Sequence, residues 1–221
     1  MSENKYAIIH IQKMKNKDLT KIAEHCRRTS PDGKYSNCNV DPERKHLNIR
    51  RSDYPADIEM KTLIDKRIAE REVQKTKVKK NAVKLCSIVV ETSPEHMNSL
   101  PREEQIRYFD EAFAWCKKLF GKKNVIEMNC HFDETTPHAH IAIVPIINGK
   151  LCAKDLITRK FLFDLQKNFP EAMRERGFDI KRGEGGDPKE RRKHLSEEEY
   201  RLKMWNETLK EKEEGLKKFE Q

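Results

Sequence analysis

Two apolar segments of the sequence, residues 124–132 and 138–146, are separated by only five residues, Asp133 to Pro137. Both segments are rich in β-branched and other aliphatic residues, which is typical of strands. Parallel strands need a crossover of about a dozen residues or more, so a connection this short favours an antiparallel pair. This feature directs the chain towards an antiparallel sheet.

The chain up to about residue 175 contains further strand and helix patterns. Alternating or continuous apolar runs predict three more strands, and apolar residues at helical spacing predict four helices. The predicted strands are 5–13, 46–50 and 82–92, and the predicted helices are 18–28, 55–73, 99–121 and 155–175. Asn148-Gly149 predicts a tight turn.

The positive charge of the chain is concentrated in its first 90 residues. Lys and Arg number 21 there against 12 Asp and Glu, while the remaining residues hold 25 of each kind, so the first part carries the whole net charge of +9. Five lysines without an intervening acid lie close together: Lys75, Lys77, Lys79, Lys80 and Lys84. Such a cluster is typical of a nucleic-acid partner, although a solvated basic face gives the same pattern.

Composition argues against two classes of protein. The longest apolar run, Ile141 to Ile147, is far shorter than the roughly 18 residues of a membrane-spanning helix. Six Cys in 221 residues, without a CxxC pair, are too few for a disulfide scaffold and indicate reduced thiols. Because the first residues also lack a hydrophobic signal segment, a cytoplasmic location without membrane insertion is expected.

The segment HFDETTPHAH, which begins at residue 131, holds three of the eight histidines. Side chains alternate along a strand, so His138 and His140 point to one face of the sheet. A partner strand that carries His131 would bring a third imidazole to the same patch, and three converging imidazoles form a divalent-metal site with open positions. The connecting turn adds two carboxylates that can serve as base or as hydrogen-bond acceptor: Asp133 and Glu134.

This segment resembles the H-x-D-E-x-T-P-H-x-H motif of the MobV-type (Mob/Pre) plasmid mobilisation relaxases, which are HUH endonucleases. Other segments are similar to motifs of the same family and occur in the same order. They are HIQKMK (10–15), EHCRR (24–28), NVDPERKHLN (39–48) and NGKLCAKDL (148–156). The resemblance covers most of residues 5–180.

The resemblance implies an α+β fold, with an antiparallel sheet of about five strands, helices packed on it and a metal on the sheet surface. It implies that the protein nicks single-stranded DNA at a plasmid origin of transfer, stays attached to the 5′ phosphate and later rejoins the strand. Mn²⁺ or Mg²⁺ is the implied cofactor. The implied partners are the origin DNA and a conjugative coupling protein.

The resemblance also implies roles for individual residues. The metal ligands would be His131, His138 and His140. The catalytic group would be His25 as nucleophile, Glu134 as acceptor of its proton and Arg28 as a phosphate clamp. Phosphates of the bound DNA would contact Lys77, Lys79 and Lys80, which lie in a basic cluster similar to the DNA-contacting region of the family. Arg44 is a further candidate for a phosphate contact because of its guanidinium, although a salt bridge within the loop fits it equally well. Cys26 replaces the Asn that is usual beside this histidine in the family, and a thiol cannot make the hydrogen bonds of an amide.

Residues 1–186 are therefore predicted to form the relaxase domain, and 187–221 a charged helical extension. Leu202, Leu209 and Leu216 repeat every seven residues, which is typical of the start of a coiled coil and would support a dimer. One amphipathic helix packed on its own domain fits the same pattern. Two other functions stay open: a rolling-circle replication initiator, and a metal-stabilised DNA-binding repressor without catalysis.

Overall fold

The computed structural model describes residues 5–31, 33, 35, 40–73 and 78–183, followed by 202, 205, 206, 209 and 210. The chain divides into two compact units, Met1–Gly183 and Glu184–Gln221. In the second unit the described residues are helical, and the side chains of Leu202, Trp205 and Leu209 are exposed. The boundary predicted at residue 186 and most of the predicted extension lie outside the described residues and stay predictions.

The described residues form eight strands, six of which build one sheet. The strands are β1 (Tyr6–Lys15), β2 (Ile49–Ser52), β3 (Val83–Thr92), β4 (Val125–His131), β5 (His138–Ile143), β6 (Ile146–Ile147), β7 (Lys150–Leu151) and β8 (Lys181–Arg182). The sheet has the order β2-β4-β5-β3-β1-β8, and β6 pairs with β7 in a separate hairpin. Only β8 pairs in parallel, with β1. The α+β class is confirmed, with β8 as a strand that the sequence patterns did not indicate because it is only two residues long.

Six α-helices connect these strands within the described part of the chain. They are α1 (Leu19–Arg27), α2 (Met60–Ala69), α3 (Pro94–Ser99), α4 (Arg102–Phe120), α5 (Ala153–Leu156) and α6 (Arg159–Glu175). The helix predicted over 55–73 is shorter than expected, and the one predicted from residue 99 is preceded by α3. The break between α3 and α4 falls before Pro101, because a proline disfavours the helical conformation of the residue before it. Among the described residues, none of these helices combines the length and the apolar character needed to cross a membrane.

Helices pack on both faces of the sheet. On one face, α4 and α6 share a core with Ile9, Ile88 and Ile141. On the opposite face, α1 and α2 cover Leu85 and Ala142. Burial of one such aliphatic side chain contributes about 1.5–3 kcal/mol, so both helix layers are held firmly. The second face is only partly covered, since His10 and Gln12 of β1 are exposed, and it is this face that carries the histidines of β4 and β5.

The residue types in two turns explain their conformations. The predicted strand 46–50 begins only at Ile49, because Pro42–Leu47 forms a 3₁₀ turn. The side chain of Asp41 caps this turn by accepting a hydrogen bond from the backbone N–H of Glu43. The predicted turn at Asn148-Gly149 is confirmed, and both residues have positive φ angles, 49° and 72°. A Cβ on Gly149 would lie 2.6 Å from Val73 Cγ2, so this turn requires glycine.

Candidate metal and catalytic site

The register of β4 and β5 places three histidines on one face of the sheet. His131 lies opposite His138, and His140 lies opposite Asn129 in the next pair along the two strands. Helix α1, packed on the same face, brings His25 to the group. The ligand atoms of these four histidines all lie within 4.8 Å of one another. The three imidazoles expected to meet on the sheet do meet there, and His25 joins them.

Hydrogen bonds fix which nitrogen of two rings faces the cluster. His131 Nε2 donates to the carbonyl oxygen of Cys26 at 3.0 Å, and His138 Nδ1 donates to that of Thr136 at 3.0 Å. The remaining nitrogens, Nδ1 of His131 and Nε2 of His138, therefore present lone pairs, which is how metal-binding histidines are oriented. His140 Nε2 lies 3.1 Å from His138 Nε2 and 3.3 Å from His25 Nε2.

The arrangement fits a divalent cation. Nδ1 of His131 is buried and has no hydrogen-bond partner, so its lone pair is available to a cation. Burial lowers the pKa values of His131 and His140, and neighbouring histidines lower them further, although Glu134 partly offsets the shift of His131. These rings are therefore neutral at pH 7, as metal ligands must be. Imidazole nitrogens suit transition metals, and an open face leaves positions for substrate oxygens.

His25 is half-buried beside this cluster. Burial, followed by the charges that His131 and Arg28 carry when protonated, lowers the pKa of His25 to about 4. Its ring is therefore uncharged at neutral pH, and a neutral imidazole has a nitrogen lone pair that can act as nucleophile or base. Its Nε2 faces His140, so the reactive nitrogen is turned towards the place where a metal-bound substrate would lie.

Glu134 supplies a buried carboxylate to the same cluster. Its Oε1 lies 3.5 Å from His131 Nδ1, 3.9 Å from His138 Nε2 and 2.5 Å from Arg28 Nη2. Burial alone would raise the pKa of Glu134, but its interactions with His131, His138 and Arg28 outweigh burial and lower the pKa to about 2. Glu134 is therefore ionised and can accept hydrogen bonds. It lies directly beside His131 and His138, and it is linked to His25 through Arg28, which contacts both residues.

Arg28 is turned into the protein. It ends α1 in the left-handed conformation, with φ at 54°, and is only 3% exposed. Its guanidinium binds both carboxylate oxygens of Asp133, at 2.7 and 2.8 Å, and donates to the carbonyl oxygen of His25 at 2.8 Å. The sequence suggested a phosphate clamp, but two carboxylates already occupy this guanidinium. Its placement instead suits a positioning role that ties the end of α1, and with it His25, to the β4–β5 loop.

Asn48 holds the other side of that loop and has no assigned role in the sequence analysis. Its Nδ2 donates to Asp133 Oδ2 at 2.7 Å, and its Oδ1 accepts from the backbone N–H of Phe132 at 2.7 Å. The backbone N–H of Asp41 donates to the carbonyl oxygen of Asp133 at 2.7 Å. Residues 40–48 thus hold the loop between β4 and β5 in place. The asparagine at the end of this segment, Asn48, could have indicated this supporting role from the sequence, because one amide can donate and accept a hydrogen bond at the same time.

The residues expected to contact DNA are exposed where the structure describes them. Arg44 lies on the 3₁₀ turn that is anchored to Asp133, close to the histidine cluster. Lys79 and Lys80 precede β3. Val89 of β3 pairs with His140, and the strand from residue 83 to 89 is about 20 Å long, so the two lysines lie at least that far along the strand from His140. Lys77 lies outside the described residues.

The buried pair of Arg28 and Asp133 is expected to be important for stability. Asp133→Ala leaves Arg28 with one carboxylate instead of two, and breaking a buried pair from one side costs about 3 kcal/mol or more. Urea unfolding measures the loss. Asp164→Ala is the matched control, because its pair with Lys160 is exposed and contributes less than about 1 kcal/mol. Equal losses in the free energy of unfolding for the two variants would contradict a stabilising role for the buried contacts of Asp133.

The family model described as "Plasmid recombination enzyme" (Mob_Pre) matches residues 3–202 of the chain. A plasmid recombination enzyme of Bacillus thuringiensis is 40% identical over 202 residues, which are 91% of this chain and 43% of that protein. A plasmid recombination enzyme type 2 of Staphylococcus aureus is 32% identical over 190 residues, 86% of this chain and 44% of that protein. The chain thus spans less than half the length of these curated relatives.

The fold also matches a solved relaxase domain. The MobM relaxase domain (MOBV; Mob_Pre), bound to plasmid pMV158 oriT DNA and to manganese, superposes with a TM-score of 0.82 at 28% identity, covering 90% of this chain and 99% of that one. The resemblance to MobV-type relaxases is confirmed. The chain belongs to the Mob_Pre family of plasmid recombination enzymes.

Proposed function

We propose that this chain nicks single-stranded DNA at a plasmid origin of transfer, holds the cut strand through its 5′ phosphate and rejoins it later. The observation that carries the proposal is the approach of His25 Nε2 to a cluster of three metal-ligand histidines on an open sheet face. It is supported by the match to a relaxase domain that is bound to oriT DNA. A DNA-binding protein without catalysis would not need a neutral imidazole at that position.

The proposed cofactor is Mn²⁺ or Mg²⁺, held by His131, His138 and His140. Three imidazoles with a carboxylate close by suit a transition ion such as manganese, and the similar relaxase structure contains manganese. When bound, such a cation supplies positive charge that polarises the scissile phosphate and stabilises the charge that develops on its oxygens. Glu134 keeps these ligands oriented from the buried side.

The proposed reaction is a transesterification that starts at His25. The lone pair of Nε2 attacks phosphorus, an N–P bond forms, and the bond from phosphorus to the 3′ oxygen breaks. The ring passes one proton to solvent water and the leaving 3′ oxygen takes one proton from solvent water, so the step balances. Arg28 positions the ring by donating to the carbonyl oxygen of His25 at 2.8 Å. Attack by the 3′ hydroxyl on the N–P bond reverses the reaction and rejoins the strand.

Incubation with end-labelled, single-stranded origin DNA and Mn²⁺ tests the proposal. The expected products are one free fragment with a 3′ hydroxyl and one fragment bound covalently to protein at its 5′ end. Binding without cleavage would contradict the proposal and favour the DNA-binding repressor. Cleavage at a replication origin but at no transfer origin would favour the rolling-circle initiator.

The exposed lysines before β3 are expected to contact DNA phosphates. Replacing Lys79 and Lys80 with Ala should weaken DNA binding and reduce the slope of log affinity against log salt by about 0.7 for each lost phosphate contact on a single strand. Fluorescence anisotropy at several salt concentrations measures both. A Lys118→Ala/Lys123→Ala variant removes the same charge from exposed positions at α4 and the turn after it. If both double variants behave alike, the lysines before β3 form only a solvated face.

Two further partners and a location belong to the proposal. Plasmid DNA as substrate places the reaction in the cytoplasm, and transfer of the nicked strand to another cell makes a conjugative coupling protein a proposed partner. A dimer through residues 187–221 is supported by Leu202 and Leu209, which are exposed and seven residues apart. Analytical ultracentrifugation of the chain with and without residues 187–221 tests the dimer. The full chain should sediment as a dimer and the shortened chain as a monomer, and two monomers would exclude the dimer.

A further inference from the structure

The outer nitrogen of His140, which faces away from the cluster, is not held by a hydrogen bond, unlike those of the other two proposed metal ligands. The outer nitrogens of those two donate to backbone carbonyl oxygens, Nε2 of His131 to Cys26 and Nδ1 of His138 to Thr136, both at 3.0 Å. Nδ1 of His140 is buried, and none of the described residues accepts from it. A histidine that binds a metal almost always donates its other N–H to an acceptor, so His140 requires one.

An acceptor for this nitrogen matters because a neutral imidazole carries one proton, on either Nδ1 or Nε2. Nε2 of His140 lies 3.1 Å from Nε2 of His138 and 3.3 Å from Nε2 of His25. A proton on Nε2 would therefore find an acceptor within the cluster, and it would occupy the position where the cation has to bind. An acceptor for Nδ1 would hold the proton on the outer side of the ring and leave the lone pair of Nε2 to the metal.

Asn129 is placed to supply this acceptor. It lies directly opposite His140 on β4, whereas the residue opposite His140 on β3 is Val89, whose side chain has no polar atom. The next residue on the same face of β5 is Ala142, which cannot accept a hydrogen bond through its side chain either. Cβ atoms of directly opposite residues lie about 4.5–5.5 Å apart, so rotation about the side-chain bonds of His140 can bring Nδ1 within hydrogen-bond distance of the amide oxygen.

The amide of Asn129 already has the required orientation. Its Nδ2 donates to Oε1 of Glu127 at 3.0 Å, and an ionised carboxylate can only accept, so the amide oxygen is left as an acceptor. None of the described residues donates to this oxygen. Asn129 is only 4% exposed. An amide oxygen and a buried N–H that both lack a partner on neighbouring strands complement each other.

Glu127 is held firmly enough to fix this orientation. It is fully buried, and its carboxylate accepts from Nε of Arg27 on α1 and from Nη2 of Arg50 on β2, both at 2.9 Å. Burial alone would raise the pKa of Glu127, but the hydrogen bonds from Arg27 and Asn129 and the charges of the two arginines outweigh burial and lower the pKa. Glu127 therefore stays ionised at neutral pH and accepts from Asn129 rather than donating to it.

We propose that Asn129 is a positioning residue of the metal site. Its amide oxygen accepts a hydrogen bond from Nδ1 of His140, which keeps Nε2 of that ring unprotonated and turned towards the cation. Glu127, with Arg27 and Arg50, in turn holds the amide. The inference rests on the proposed function and deepens it, because it adds a chain of buried polar contacts behind one of the proposed metal ligands.

Two substitutions of Asn129 separate this role from a purely structural one. Asn129→Leu and Asn129→Asp both remove the hydrogen bond to Glu127, but only Asn129→Leu removes the acceptor for His140. The additional carboxylate in Asn129→Asp is tolerated, because Glu127 already faces two arginines, Arg27 and Arg50. The comparison of the two variants therefore isolates the effect of the acceptor.

The first measurement is the affinity for Mn²⁺ by calorimetric titration without DNA. Asn129→Leu should lower this affinity about 10- to 100-fold, as is usual when a residue that orients a metal ligand is lost. Asn129→Asp should bind Mn²⁺ at least as tightly as the unchanged protein. Asn16→Leu is the control, since Asn16 is exposed on the turn after β1, and it should leave the affinity unchanged. Equal losses of affinity in Asn129→Leu and Asn129→Asp, or no loss in Asn129→Leu, would overturn the proposal.

The second measurement determines the tautomer of His140 without any metal. Nitrogen NMR chemical shifts of isotopically labelled histidine rings distinguish a protonated ring nitrogen from an unprotonated one. At neutral pH, His140 should carry its proton on Nδ1 in the unchanged protein and in Asn129→Asp, and mainly on Nε2 in Asn129→Leu. The rings of His131 and His138 are internal controls, because backbone carbonyl oxygens hold them in all three proteins. A proton on Nε2 of His140 in the unchanged protein, or the same tautomer in Asn129→Leu as in the unchanged protein, would contradict the role of Asn129.

Failure of the proposed function gives a different result. If the unchanged protein binds Mn²⁺ but never cuts origin DNA, the proposed nicking reaction is wrong, while the two measurements on the Asn129 variants still decide this inference. If the unchanged protein binds no Mn²⁺, the proposed metal site and the positioning role of Asn129 are overturned together.

Discussion

His25→Ala is expected to lower the rate of nicking by about 10⁴-fold or more, because it removes the nitrogen that is proposed to attack phosphorus. DNA binding and metal binding should change little, since the proposed ligands and the exposed basic residues are intact. The rate of strand cleavage and the formation of the covalent adduct are measured on denaturing gels with labelled origin DNA. The large effect on rate with a small effect on affinity is what distinguishes a nucleophile from a DNA-binding residue.

His46→Ala is the matched control for this experiment. His46 is exposed on the 3₁₀ turn, and its ring contacts the carbonyl oxygen of Glu43 rather than the histidine cluster. The control should nick at the rate of the unchanged protein. A His25→Ala variant that still forms adduct at a comparable rate would exclude His25 as the nucleophile, whatever the state of the metal site.

His138→Ala is expected to lower the affinity for Mn²⁺ by more than about 100-fold and to remove nicking with it. Loss of a residue that merely orients a ligand already costs 10- to 100-fold in metal affinity, so the loss of a ligand should cost more. His138 Nε2 is fixed towards the cluster by the hydrogen bond that Nδ1 makes with Thr136. Calorimetric titration with Mn²⁺ measures the affinity, and chelation by EDTA should likewise abolish nicking by the unchanged protein.

The comparison with His25→Ala separates the two roles within one cluster. That variant should bind Mn²⁺ nearly as well as the unchanged protein, while His138→Ala should not. Binding of DNA should persist in both, because neither substitution removes the exposed lysines before β3 or Arg44. Undiminished nicking by His138→Ala, or by the unchanged protein in excess EDTA, would contradict the metal assignment.

Much of the site could be predicted from short stretches of sequence. The alternation of side chains along a strand places His138 and His140 on one face, and a five-residue connection brings the strand of His131 alongside. Both inferences need only local geometry. His25 is different, because on its helix it resembles any half-exposed histidine, and only the resemblance of EHCRR to a family motif indicated a role for it.

The supporting residues could not be predicted, because their roles depend on contacts between distant segments. Arg28 was expected to face DNA, but Asp133, 105 residues away, draws its guanidinium inward. Asn48 reaches the same carboxylate from 85 residues away. The observed helix ends differ from the predicted ones, because caps and prolines determine where a helix ends more precisely than apolar periodicity does.

The most direct test of the account is to identify the residue that is joined to DNA. The adduct is formed with Mn²⁺ and labelled origin DNA, digested with protease and nuclease, and mapped by mass spectrometry at neutral to alkaline pH. The expected result is a nucleotide on the peptide that contains His25, through a phosphoramidate that mild acid releases and base leaves intact. Among the described tyrosines, Tyr35 is the competitor, because its ring lies 5.1 Å from the Arg28 guanidinium. An acid-stable nucleotide on Tyr35, or on any other tyrosine, would contradict the histidine mechanism.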